Sequence, residues 1–124
     1  MAITIGYWLA GLIALSIIVI GGRFAFAPYA APAGYGVAVT AQPSWEAYLS
    51  VKAARDIVSG LITALLILNH SPHLLGWFVL VATIIPAADA AIVLRHGGTR
   101  AIAFGIHGAT AVIMIVTAAL LLMG

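Results

Sequence analysis

Apolar residues run almost unbroken along this chain, and the interruptions fall at regular intervals. Runs of about 20 residues, the length that crosses ~30 Å of hydrocarbon, cover 5–26, 45–68, 74–94 and 100–123. Pro28, Pro32, Gly34, Gly36 and Pro43 punctuate the first link. The run Asn69 to His73 forms a tight second turn, and Gly97 and Gly98 follow the third run where helices commonly end on glycine. Ser44 is placed to cap the second run, with Glu46 in its first turn. Backbone groups in lipid must be satisfied internally, so runs of this kind predict helices. The expected fold is all-α: a polytopic, antiparallel bundle of four transmembrane helices forming a single domain over 1–124. The first link has no charged residue between Pro28 and Pro43, and its Tyr29 and Tyr35 suit a membrane interface. It is expected to lie on or dip into the membrane face as a lid.

Composition agrees. The chain has 124 residues, 65% hydrophobic and 6% charged, with a mean hydropathy of +1.22; a soluble domain is about half apolar and about a quarter charged. A net charge of +2 arises from few acids and not from a basic patch, which argues against a nucleic-acid partner. There is no cysteine, which removes disulfides, thiolate metal sites and thiol nucleophiles. The Ala25-Phe26-Ala27 sequence resembles a signal cleavage site, but no cation precedes the first run and that run is too long for a signal core, so the first span is expected to be retained.

All five cations, Arg23, Lys52, Arg55, Arg95 and Arg100, lie by the first and third links. The positive-inside rule makes those links cytoplasmic, so the expected location is the cell membrane with both termini outside. The three acids, Glu46, Asp56 and Asp89, share that half.

On a helical wheel of about 100° per residue, Tyr48, Lys52, Arg55, Asp56, Ser59 and Thr63 form one polar stripe along the second run. Such a stripe should face the bundle interior or a water-filled cavity. Asp89 follows Pro86, which can kink the third helix. His107 shares a face with Arg100, and Arg23 with Ser16. From the helical rise, Asp56, Asp89 and His107 fall at about one depth, roughly 10–15 Å from the cytoplasmic helix ends. The expected site therefore has Asp56, Asp89 and His107 as proton-transfer groups, with Arg23, Lys52, Arg55, Tyr48 and Ser59 holding a ligand. A structural account competes: Lys52 and Asp56 are an i, i+4 pair that can neutralise itself, Arg95 and Arg100 can snorkel into headgroups, His107 can be a neutral core histidine, and His70, His73 and His96 suit turns.

The stretches "GGRFAFAPYAAPAGYGV", "YLSVKAARDIVSG", "IPAADAAIVLRHGG" and "FGIHGATA" resemble a family of small four-span membrane proteins described as domain of unknown function 4267. The resemblance implies the four-helix fold and draws attention to Arg23, Pro28, Lys52, Arg55, Asp56, Pro86, Asp89 and His107; it implies no activity or cofactor.

Three roles are open on these residues. The first is a pocket that binds or converts an amphipathic, lipid-like molecule, the cations holding an anionic or polar head and a carboxylate or His107 moving a proton, as an isomerase, cyclase or hydratase would require. The second is an accessory subunit whose polar stripe meets a membrane partner or another copy of the chain. The third is a small proton-coupled transporter, against which stands the lack of a carboxylate in the first span. No cofactor is expected: only His107 lies at membrane depth, and bis-histidine haem ligation needs two facing imidazoles. Nor do Asp56, Asp89 and His107 carry a metal-binding spacing.

Overall fold

The computed structural model describes residues 1–39 and 43–124, and among them every regular element is helical. Helix α1 spans Ala2–Phe26, the short α2 Ala31–Tyr35, and α3 Pro43–Leu68. Helices α4 (Pro72–Ala82) and α5 (Ile84–Arg95) follow, and then α6 (Arg100–Ile102), a π-helical turn (Ala103–Gly108) and α7 (Ala109–Met123). Three helical stretches, Ala2–Phe26, Pro72–Arg95 and Arg100–Met123, are long and apolar enough to cross a membrane. The protein is thus membrane-embedded. Helix α3 is as long, at 26 residues, but every 18-residue stretch of it contains Lys52, Arg55 and Asp56.

The surface agrees with a lipid solvent. Leu12, Leu15, Val19, Leu61, Leu65, Val81, Ile84 and Val112 are exposed, a density of outward apolar groups that water-soluble proteins avoid. Trp8 and Trp77 are exposed near one end of the helices, and Trp45 and Tyr48 near the other. Aromatic side chains favour the two membrane–water interfaces.

Small residues set the α1–α3 packing. A Cβ on Gly60 would lie 2.4 Å from Ile18 Cγ1 and 2.9 Å from the Ala14 carbonyl oxygen; one on Gly21 would lie 3.0 Å from the Ala53 carbonyl oxygen. Gly21 thus meets 53–57 while Gly60 meets 14–18, so the two helices run antiparallel with their backbones close. Toward the chain termini, Ala10, Leu75, Val79, Met114, Ala118 and Leu121 form one buried cluster; at the opposite end Phe24, Ala31 and Ala53 form a second.

Local sequence explains the breaks. Pro86 cannot donate to the Ala82 carbonyl, and the α4–α5 interruption falls at Thr83, whose hydroxyl turns back to the Val79 carbonyl at 2.9 Å. After α5, Gly97 takes φ 79°, and the Gly98 N–H reaches the Val93 carbonyl at 2.8 Å, the paired closure that a left-handed glycine permits. Ser44 does not precede α3 as expected of a cap: the helix already includes Pro43, a residue that tolerates the first helical position because it has no N–H to satisfy. The part of the first link at 40–42 lies outside the described residues.

Candidate functional site

Within the first link, α2 folds back against the helices, with Ala31 and Pro32 buried. It ends at Gly36, whose φ of 109° is left-handed and whose absent Cβ would meet Val93 and Ile102 at 2.9 Å. Only glycine fits there, and the consequence is that Tyr35, one residue earlier, projects among α1, α3, α5 and the π-helical turn.

Tyr35 is the hub of the polar groups. Its hydroxyl donates to Asp89 Oδ2. Its carbonyl accepts from His107 Nε2 at 2.8 Å; a carbonyl can only accept, so Nε2 carries the proton. The Tyr35 and His107 rings lie 4.3 Å apart, and Phe24 meets Tyr35 edge to face at 5.6 Å. Lys52 Nζ sits 4.6 Å from the centroids of both Phe24 and Tyr35 and 2.7 Å from Asp56 Oδ2, so ring faces and a carboxylate share its charge. Burial, then the hydrogen bond to Asp89 and the negative charges of Asp89 and Asp56, push the Tyr35 phenol above its ordinary range. It is therefore a persistent hydrogen-bond donor, and the Tyr35–Asp89 couple can hold one proton beside the cavity.

That cavity, of about 340 Å³, lies between the two buried clusters. Leu9, Leu12, Ile13, Phe78, Val79 and Met114 give it an apolar end; Tyr35, Lys52, Asp56 and Asp89 give it a polar one. Hydroxyls on its walls are already satisfied: Ser59 donates to the Arg55 carbonyl at 2.8 Å and Thr63 to the Ser59 carbonyl at 2.9 Å.

The expected site residues divide accordingly. Lys52, Asp56, Ser59 and Asp89 line the cavity. His107 is buried behind Tyr35 and holds it through the backbone. Arg23, Arg55 and Tyr48 are exposed and absent from the lining. A stripe about 100° wide leaves its edge residues outside a tightly packed seam, and α1 presses on the centre of that stripe. Among the described residues Asp56, Asp89 and His107 make no hydrogen bond with one another; each reaches Tyr35 instead, Asp56 by way of Lys52. Among the described residues no three His, Asp or Glu side chains converge as a metal site.

From the sequence Tyr35 suits an interface, and neither it nor Phe24 stands out as a site residue. The available signal was Gly34 and Gly36 flanking an aromatic in an uncharged link. Tyr29 donates to Glu46 Oε2 at 2.9 Å, which ties the start of the link to α3; that hydrogen bond raises the Tyr29 pKa.

The family model described as domain of unknown function (DUF4267) matches residues 14–121. No curated protein and no solved structure matches the chain.

Proposed function

The chain belongs to that family of unknown function, and from this premise we propose that it is a small four-span protein of the cell membrane that binds an amphipathic, lipid-like molecule in its cavity. In this reading α3 is the fourth span of an antiparallel bundle. Its three charges are tolerated because Asp56 is buried against Lys52, and the exposed Arg55 side chain can extend toward the headgroups. Both termini lie outside the cytoplasm, since Arg23, Lys52, Arg55, Arg95 and Arg100 all sit in the same half of the helices.

The observation that carries the proposal is the division of the cavity into an apolar end and a polar end. A volume of 340 Å³ falls at the lower end of ligand-pocket sizes, about 300–1,000 Å³, and suits a single chain better than a two-tailed phospholipid. The Tyr35–Asp89 couple then lies next to the head, where it orients it by hydrogen bonding and can exchange a proton with it.

The test is mass spectrometry of organic extracts from the purified chain and from Ser59→Trp, which places an indole in the cavity. The expected result is a small amphiphile that accompanies the native chain at near-stoichiometric amount and is lost from a folded Ser59→Trp. Identical extracts from the two would refute the reading.

A further inference from the structure

The sign of the head's charge follows from which hydrogen-bonding groups in the cavity are already engaged. Among the described lining residues, the ionisable groups other than Tyr35 are one cation, Lys52, and two carboxylates, Asp56 and Asp89. Lys52 is committed to Asp56 at 2.7 Å and to two ring faces. The Tyr35 hydroxyl is committed to Asp89. Each wall hydroxyl spends its proton on a backbone carbonyl one turn earlier: Ser16 on Leu12, Ser59 on Arg55, Thr63 on Ser59 and Thr110 on Ile106. The hydroxyl donors are therefore engaged and the Lys52 charge is shared by Asp56 and two rings, while each carboxylate offers about four lone-pair sites and takes one side-chain hydrogen bond here. Arg23 and Arg55, which could have balanced an anion, are outside.

On the reading of the cavity as a ligand site, we infer that the ligand's head is a hydrogen-bond donor bearing positive charge, as a protonated amine on a single apolar chain does, and that Asp89 recognises it. Lys52 and Asp56 neutralise each other, which leaves the Asp89 carboxylate as the excess charge at the polar end. In an apolar setting that charge calls for a counter-ion. An anionic head would meet two carboxylates and a single cation that one of them already neutralises.

The experiment loads the full chain, immobilised in detergent, with an equimolar mixture of dodecylammonium, dodecanol and dodecanoate. Retained probes are quantified by mass spectrometry relative to Ser59→Trp, which subtracts partition into detergent. The expected order is dodecylammonium, dodecanol, dodecanoate, with about tenfold between first and last, the size of one charge-assisted hydrogen bond. Asp89→Asn, which keeps an acceptor for Tyr35, is expected to erase the preference. Dodecanoate retained as well as dodecylammonium would overturn the inference and leave the cavity reading intact, as would an unchanged preference in Asp89→Asn. Should that variant not fold, the order on the native chain decides alone. No probe retained above Ser59→Trp would overturn the cavity reading itself.

Discussion

The Tyr35 hydroxyl donates to Asp89, 54 residues further along the chain, and so fixes α2, in the first link, to α5. Removing that donor leaves a partly buried carboxylate without its partner, a loss of about 1–3 kcal/mol. Tyr35→Phe is expected to lower the unfolding free energy in detergent by this amount, and Tyr35→Ala by more, because the ring also packs on Phe24, His107 and Lys52. Equal midpoints for Tyr35→Phe and the native chain in denaturant titrations would show that the bond contributes nothing.

The same phenol predicts an alkaline limit. Its pKa in the folded chain is raised above the unfolded value of about 10, so its contribution to stability is complete below that value and declines as pH rises from there toward the folded value. Native stability should therefore fall with pH above about 10 more steeply than that of Tyr35→Phe. Tyrosinate absorbance near alkaline unfolding checks it: the native chain should ionise one more phenol with the unfolding transition than Tyr35→Phe does.

Helix closeness can be probed at one glycine with another as control. A methyl at Gly60 would meet Ile18 and the Ala14 backbone oxygen, whereas nothing lies within 4 Å of a Cβ at Gly11. Gly60→Ala is expected to cost about 1–3 kcal/mol by overpacking, while Gly11→Ala is neutral or stabilising by up to about 1 kcal/mol through helix propensity. Thermal unfolding of the two variants in the same detergent gives the comparison.

What the sequence discloses, and what it withholds, follows from the range of each interaction. Helix limits are local: long apolar runs, Pro86 and the Gly97-Gly98 pair set them, and α1, α3 and α7 begin or end within a few residues of the runs that hydropathy marks out. Lys52 and Asp56 pair because they are one turn apart on one helix. By contrast, the placement of Tyr35 depends on a left-handed Gly36 lodged against Val93 and Ile102, a contact between segments distant in sequence. A helical wheel likewise treats the stripe on α3 as uniform and carries no information on which part a neighbour covers: Asp56 is buried, while Arg55 and Tyr48 are exposed.

Orientation is open to a labelling test, since the native chain has no cysteine to interfere. Ser71→Cys, in the turn before α4, is expected to react with an impermeant maleimide on intact cells. His96→Cys, at the end of α5, should react only after permeabilisation. The reverse pattern would place the arginine-rich ends outside and refute the proposed topology.

The last prediction concerns His107, which lies in the π-helical turn and holds α2 through the Tyr35 carbonyl. A π-turn inserts an extra residue into a helix and re-aims the side chains that follow; here it lies beside α5 and presents the imidazole to α2. His107→Leu leaves the Tyr35 carbonyl without its donor, whereas His107→Gln supplies an amide N–H of similar reach. Hydrogen exchange at Tyr35 to Val37 should therefore quicken by about tenfold in His107→Leu, the equivalent of one lost hydrogen bond, and much less in His107→Gln. Because the helical core does not depend on that bond, amides of α7 such as Thr117 and Ala118 should exchange as in the native chain. Equal acceleration in α2 and α7 would mean that His107 stabilises the bundle as a whole and does not act as a clasp for α2.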